Sequence, residues 1–379
     1  MNNELKSIIE QYDPNLELDC ASTIPSSWYI DKDFYDHELT TVFSQSWQLA
    51  ARADQLTEPG RYVTTDIAGE PVVIVRGNDG ELRGFFNVCR HHAAAVMTES
   101  EGKAAQLRCP YHGWTYDLQG KLVLTPEFAC VSDFNRDENG LVPVQTAVFQ
   151  GWIFAKLDNT GPTLEQALSC DLIERFEHLN LEQLHFFERR TYTLNCNWKV
   201  FVDNYLDGGY HVPHIHGGLN SVLDYSNYTI ETGERVCLQS SPIVTDQGDP
   251  KTAAVRAGEH ARYYWIYPNF MINIYDGIID TNLVVPRSVD KTDVVFDYYF
   301  ADVSEHAREK NLASIAVSEQ IQSEDVAICE SVQRGLGSRS YNRGRLSVRR
   351  EAGEHLFHKL LYADLQAAIE NNADDAIGQ

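Results

Sequence analysis

Positive charge is what this chain has least of: Lys and Arg total 31 against 55 Asp and Glu, a formal net charge of -24 over 379 residues. Such a balance repels nucleic-acid phosphates and anionic membrane surfaces and favours cationic partners or substrates, so neither a nucleic-acid nor a membrane partner is expected. Long apolar runs are also missing; none approaches the roughly 20 residues of a membrane-spanning helix. The start, MNNELKSIIEQYDPN, has neither the basic residues and apolar run of a secretion signal nor the Arg- and Ser-rich character of a transit peptide, and a cytoplasmic location is expected. There is no internal repeat and no low-complexity tract. Cysteine is present eight times, but scattered and without a secretion signal, which favours thiols and metal ligation over disulfides. Cys20, Cys130, Cys170, Cys196, Cys237 and Cys329 are expected to be ordinary thiols.

What is there suffices for a sizeable core: 43% of residues are hydrophobic, and a chain of this length exceeds the roughly 250 to 300 residues at which single cores stop growing. Two domains are expected. Asp31 to Trp47 has the apolar spacing of an amphipathic helix, and residues 1–45 are read as a helical segment packing on the second domain. From Gly60 the pattern turns to short β-branched runs, Tyr62 to Ile67, Val72 to Arg76 and Leu82 to Val88, and Gly151 to Leu157 closes this antiparallel module. The turn-rich Asp158-Asn159-Thr160-Gly161-Pro162 marks the joint, which gives domains of residues 46–158 and 159–379. Beyond it come a helical period over Thr163 to Leu181 and an alternating strand over Arg189 to Lys199. Further strands are read at Arg262 to Tyr267, Asn269 to Tyr275, Asp280 to Val285 and Asp293 to Phe300. A long helix from about Ser304 to Leu336 follows.

The first domain contains Cys89-Arg90-His91 and Cys109-Pro110-Tyr111-His112-Gly113-Trp114, with seventeen residues between the two patterns. Each loop offers one thiolate and one imidazole. A structural zinc site of this composition normally pairs Cys with Cys and His with His. A [2Fe-2S] centre with two Cys on one iron and two His on the other matches two mixed loops. His92 adjoins a ligand but has no counterpart in either pattern. Imidazole ligation raises the potential of such a cluster to about -150 to +300 mV, which suits a one-electron relay.

The second domain contains Asp203 to His216, DNYLDGGYHVPHIH. His211 and His216 stand five residues apart on a segment that Gly208, Gly209 and Pro213 keep from forming a regular helix, so their side chains can converge. Two neutral His and one carboxylate suit a mononuclear non-haem Fe(II) with open positions. The long helix offers the carboxylate. Val317, Ile321, Ile328 and Val332 recur at helical spacing as the expected buried stripe, with Glu324 and Asp325 on its two borders, about 50° to either side. Glu319 and Glu330 point the other way. Periodicity leaves both Glu324 and Asp325 open.

With these motifs the chain resembles the α subunits of Rieske non-haem iron oxygenases, from about Trp47 to His358. Within that family it is most similar to choline monooxygenase and its bacterial relatives, through CRHHA at 89–93, CPYHGW at 109–114 and DNYLDGGYHVP at 203–213. YPNFMIN at 267–273, DTNLVVP at 280–286 and EDVAICESVQRGL at 324–336 extend the match. The resemblance implies an α+β fold, an N-terminal Rieske [2Fe-2S] β domain and a C-terminal helix-grip domain in which a curved antiparallel sheet surrounds a long helix. It implies Cys89, His91, Cys109 and His112 on the cluster, His211, His216 and Asp325 on the mononuclear iron, and O2 as co-substrate. It further implies a reductase or ferredoxin donor drawing on NAD(P)H, and a head-to-tail homotrimer.

One position departs from the family. Many ring-hydroxylating members have a bridging Asp three residues before the first iron His, and here that place is Gly208. Asp207 and Asp203 are the candidate substitutes, and Asn204 is expected near the iron. The implied reaction is hydroxylation of a C–H bond, or oxidative N-demethylation, of a small quaternary ammonium compound. The aromatic stretch Tyr263, Tyr264, Trp265, Tyr267, Phe270 and Tyr275 could supply a cation-binding cage. Strand alternation lets at most about half of them face one cavity. The competing readings are an aromatic-ring-hydroxylating α subunit and a non-catalytic Rieske electron carrier, which would need no second iron.

Overall fold

The computed structural model describes residues 3–377 apart from 169, 178, 180, 245 and 247. They divide into two compact units, Phe43–Ala167 and Met1–Val42 with Leu168–Gln379. The sequence places the joint at 158/159, whereas the structure keeps residues 159–167 with the first unit. Two donors hold this stretch: Lys156 Nζ and Trp47 Nε1 each lie 3.1 Å from the carbonyl oxygen of Pro162.

The first unit is built on a seven-stranded antiparallel sheet. Its strands are β1 (Gln48–Arg52), β2 (Arg61–Ile67), β3 (Glu70–Arg76), β4 (Leu82–Phe86), β5 (Glu101–Lys103), β9 (Pro143–Phe149) and β10 (Trp152–Lys156), in the order β1-β10-β9-β4-β3-β2-β5. A three-stranded sheet of β6 (Leu107–Arg108), β7 (Thr115–Tyr116) and β8 (Leu122–Leu124) completes it. The run Val72-Val73-Ile74-Val75 is apolar throughout because β3 is buried on both faces. Val73 and Val75 belong to a core with Cys89, Cys109, Trp114 and Tyr116, while Val72 and Ile74 join Val63, Ile67 and Ile153 in another. The first of these cores anchors both Cys/His loops.

The second unit carries a seven-stranded antiparallel sheet of β11 (His185–Leu194), β12 (Thr229–Thr232), β13 (Val236–Pro242), β14 (His260–Ile266), β15 (Phe270–Tyr275), β16 (Ile278–Ser288) and β17 (Lys291–Phe300). Their order is β11-β17-β16-β15-β14-β13-β12. The expected strand to Lys199 stops at Leu194. Asn197 then caps a helix, Trp198–Leu206, by accepting from the backbone nitrogen of Lys199 at 3.1 Å. Thr163 to Leu181 is likewise not one helix: Leu164–Leu168 and Cys170–Glu177 are separate. The expected helix from Asp31 runs over Lys32–Glu38, with Asp31 as its cap, and then widens through Leu39–Phe43.

The long helix spans Arg308–Leu336, starting four residues after the expected cap at Ser304, where a turn intervenes. Its buried face also differs from the expected stripe. Ile328 is 38% and Val332 44% exposed, while the buried positions are Asn311, Ser314, Ile315, Ser318, Gln322, Asp325, Cys329 and Leu336. The inward face is mostly polar or small because it packs against a polar cavity and the side chains of Arg256 and Asn204. Asp325 therefore lies within the buried face rather than on its border.

Candidate metal centres and substrate cavity

The two Cys/His loops are built alike. Cys89 N–H donates to Ala94 O at 2.8 Å and Ala93 N–H to Cys89 O at 3.0 Å. In the second loop Cys109 N–H donates to Trp114 O at 2.9 Å and Gly113 N–H to Cys109 O at 3.1 Å. Both loops need a left-handed residue at the same place, Ala93 with φ +59° and Gly113 with φ +73°. Repeating the pattern brings the His91 and His112 rings to 4.8 Å and buries both thiols.

The environment fits an iron–sulfur cluster. His91 stacks on Trp114 at 4.6 Å, and its Nδ1 is buried without a hydrogen-bond partner among the described residues. Burial, then His92 and His112, depress the pKa of the His91 imidazole and so favour the neutral ligand form. Burial pushes the Cys109 thiol up, while backbone N–H groups of Tyr111 and His112 aim at its sulfur and pull it back. The Tyr116 hydroxyl lies 3.4 Å from Cys89 Sγ. These are donors for sulfur that carries charge. His92 sits beside His91 with ring centroids 4.1 Å apart, outside the loop pattern. The seven cysteines whose side chains are described form no disulfide. The Cys170 side chain lies outside the described residues.

In the second unit, Gly208 and Gly209, each at φ +67°, turn the chain so that His211 and His216 face Asp325. The candidate ligand atoms of these three residues all lie within 4.8 Å of one another. Asp325 Oδ1 stands 3.1 Å from His216 Nε2 and 3.9 Å from His211 Nε2. The opposite ring nitrogens are held by carboxylates, His211 Nδ1 by Asp207 Oδ2 at 2.6 Å and His216 Nδ1 by Glu324 Oε2 at 2.7 Å. Such partners fix the ring orientation and leave both Nε2 atoms on the Asp325 side, where a metal ion could be held. Burial works against a charged His216 ring, but Asp325 and Glu324 outweigh it and hold its pKa above the ordinary value. The surroundings are thus arranged for positive charge.

The remaining expected residues separate. Asn204 donates from Nδ2 to Asp325 Oδ1 at 2.8 Å and lines the adjoining cavity. Asp203 faces elsewhere, accepting from Tyr29 Oη at 2.5 Å and lying 3.0 Å from His358 Nε2. No side chain fits at Gly208, where a Cβ would lie 2.1 Å from the carbonyl oxygen of Arg350.

The cavity against the His211/His216/Asp325 set encloses about 760 Å³ counted with its mouth. Of the six expected cage aromatics only Tyr263 and Tyr275 line it, their hydroxyls 3.0 Å apart. Tyr264 packs on Phe176, Trp265 on Phe357, and Tyr267 lies under the Arg235 guanidinium; Phe270 is buried in the sheet. Phe201, Tyr205, Tyr228 and Phe296 complete the aromatic wall, and sequence patterning did not single them out because they come from three separate segments. Asp280 and Arg256 also line it. Burial pushes the Asp280 carboxyl up, while Arg256, Asn273 and Asn282 pull it back.

A sulfur-bearing quartet apart from an open nitrogen–oxygen triad is the equipment of an oxygenase that receives electrons singly; a carrier needs only the quartet. Similarity to known proteins agrees. Residues 46–135 match the Rieske [2Fe-2S] domain and residues 181–367 the ring hydroxylating alpha subunit (catalytic domain). The chain is 38% identical to the chloroplastic choline monooxygenase of Arabidopsis thaliana, over 96% of this chain and 88% of that protein. It is 31% identical to the carnitine monooxygenase oxygenase subunit of Escherichia coli strain K12, over 90% and 93%. The solved structure of the quaternary ammonium Rieske monooxygenase CntA with L-carnitine superposes with a TM-score of 0.80 at 29% identity, covering 94% of this chain and 98% of that one. Naphthalene 1,2-dioxygenase from Rhodococcus sp. shares the fold, with a TM-score of 0.80 at 21% identity over 97% and 99%. The chain belongs to the Rieske non-haem iron oxygenases. It is an oxidoreductase that works with a Rieske cluster, a mononuclear iron, O2 and electrons from a reductase. No helix among the described residues is long and apolar enough to cross a membrane.

Proposed function

We propose that this oxygenase hydroxylates a C–H bond next to the nitrogen of a small quaternary ammonium compound, an outcome that includes oxidative N-demethylation. The observation that carries this reading is the cavity beside His211, His216 and Asp325, walled by Tyr205, Tyr228, Tyr263 and Tyr275 and holding the Asp280 carboxyl. Aromatic faces attract an alkylammonium by about 0.5 to 2 kcal/mol each, depending on desolvation, and do so without demanding hydrogen bonds that a quaternary nitrogen cannot make.

Cys89, His91, Cys109 and His112 are assigned to the cluster, and His211, His216 and Asp325 to the mononuclear iron. When bound, the cluster supplies single electrons and the iron supplies O2 activation. Asp207 orients His211 and is assigned the acceptor role between this site and a Rieske imidazole of a neighbouring copy, in a homotrimer. Asn204 positions Asp325. The electrons are assigned to NAD(P)H through a reductase or ferredoxin. A cytoplasmic location accords with the seven free cysteines.

Product analysis on choline, glycine betaine, carnitine and several aromatic compounds, with a competent reductase, tests the reading. Turnover of an ammonium substrate and three irons per chain support it. Two irons per chain would mark a carrier, and turnover of aromatic rings alone would move the protein to the ring-hydroxylating class. His211→Ala should lose turnover and keep the cluster spectrum, whereas Cys109→Ser or His91→Ala should lose that spectrum.

A further inference from the structure

The cavity contains two formal charges that do not pair with each other. Arg256 is 2% exposed and Asp280 3% exposed, and neither makes an ion pair among the described residues. Arg256 is held in place from the long helix: Nη1 donates to Ser314 Oγ and Nη2 to Ser318 Oγ, each at 2.7 Å, and the guanidinium stacks over the Tyr275 ring at 4.7 Å. Asp280 accepts from Asn273 Nδ2 at 2.7 Å. A buried guanidinium with no carboxylate in contact is costly to keep charged. A fold that keeps Arg256 buried and braced, with Asp280 beyond ion-pair contact, leaves a contacting anion to be supplied.

A second, independent feature of the same wall points the same way. Arg256 Nε and Gln322 Nε2 are both buried, both belong to residues lining the cavity, and neither has an acceptor among the described residues. Buried donors in native proteins are nearly always satisfied, and two unsatisfied ones around one cavity ask for a ligand rich in acceptor oxygens. A carboxylate provides two oxygens and about four lone-pair sites. A primary alcohol has one oxygen and no charge.

Resting on the quaternary ammonium reading above, we infer that the substrate is a zwitterion, a betaine bearing both a quaternary nitrogen and a carboxylate, with Arg256 and Gln322 receiving the carboxylate and the tyrosines with Asp280 receiving the ammonium. Arg256 is thereby a specificity-determining residue. An alcohol cation such as choline leaves the guanidinium unmatched and adds a second positive charge to its cavity. A betaine matches both charges and places its ammonium methyls where the wall is aromatic.

The test compares choline with glycine betaine, which differ in a CH2OH against a carboxylate, and γ-butyrobetaine with its corresponding alcohol. Affinities are measured by calorimetry on the three-iron holoenzyme and on Arg256→Gln. The expected result is tighter binding of each betaine by about tenfold or more, a difference near 1.4 kcal/mol. In Arg256→Gln the betaine affinity should fall about tenfold or more, while the alcohol cation should bind as well as before or tighter because a like charge is gone; a bracing role alone would weaken both alike. Should Arg256→Gln fail to fold, the wild-type pairs still decide, and Gln322→Leu is expected to weaken betaines selectively. Equal or tighter binding of the alcohols overturns the zwitterion proposal and leaves the quaternary ammonium reading standing. A betaine preference that persists in Arg256→Gln overturns the role of Arg256. Binding of aromatic compounds with no ammonium bound overturns both.

Discussion

Asp207 Oδ2 lies 2.6 Å from Nδ1 of His211 and also accepts from that residue's backbone nitrogen at 3.0 Å. One carboxylate thus fixes both the ring and the chain that bears it, and with Nδ1 engaged, Nε2 is left for metal. Asp207→Asn replaces one acceptor oxygen by an NH2 that cannot receive the imidazole proton. The variant is expected to keep the visible spectrum of the cluster and to slow electron delivery to the mononuclear iron by about 10- to 100-fold. Single-turnover oxidation of a pre-reduced cluster, with substrate and O2 present, reads this step apart from the reductase. Wild-type rates would remove Asp207 from the pathway. Asp203→Asn is the control: bonded to Tyr29 and His358, Asp203 should affect thermal stability first.

Asp325 and Glu324 are adjacent, yet they touch opposite nitrogens of His216, Nε2 at 3.1 Å and Nδ1 at 2.7 Å. Asp325→Ala is expected to remove the mononuclear iron outright. Glu324→Ala should lower iron affinity by about 10- to 100-fold, as loss of an outer partner does, and so retain iron at saturating metal. Metal analysis before and after mild chelation separates the two. Equal loss in both before chelation would show that the carboxylates share the ligand role.

The Tyr116 hydroxyl, 3.4 Å from Cys89 Sγ, can donate to sulfur and favour the more negative, reduced cluster. Tyr116→Phe removes that donor with little change of shape. The reduction potential is expected to fall by several tens of millivolts, where about 59 mV corresponds to a tenfold change for one electron. Protein-film voltammetry measures it. An unchanged potential would mean that the hydroxyl serves the Arg90 N–H, which donates to it at 3.0 Å, and not the sulfur.

Glu354 is buried beside Asp203, Glu351 and Asp207, and burial followed by these carboxylates raises its pKa well above the ordinary value. A carboxyl whose folded pKa is raised adds stability that is fully present below the unfolded pKa of about 4.3 and is lost as pH climbs toward the folded value. Glu354→Gln keeps the neutral form at every pH. The variant should melt close to wild type near the unfolded pKa and increasingly above it as pH rises to neutrality. Thermal melts across that range check the sign, and a constant difference between the two proteins would contradict it.

Local motifs were legible in the sequence because their geometry closes within a few residues. C-x-H and C-x-x-H each sit in one turn with two backbone hydrogen bonds, and β3 shows as Val72 to Arg76 because a short β-branched run bounded by turn residues is visible without its distant partners. Gly208 and Gly209 likewise announce the bend before His211. What only the tertiary structure decided is everything that depends on which surfaces meet. The apolar spacing of Val317, Ile321, Ile328 and Val332 named the wrong face of the long helix, since that helix turns Ser314, Ser318, Gln322 and Asp325 inward, with Ser314, Ser318 and Asp325 meeting polar groups 58 to 121 residues away in the chain. Arg256 reaches Ser314 across 58 positions and Asn204 reaches Asp325 across 121, and no period or spacing encodes such pairs. A buried polar contact is selected by the absence of water around both partners at once, and that condition exists only when the chain has folded.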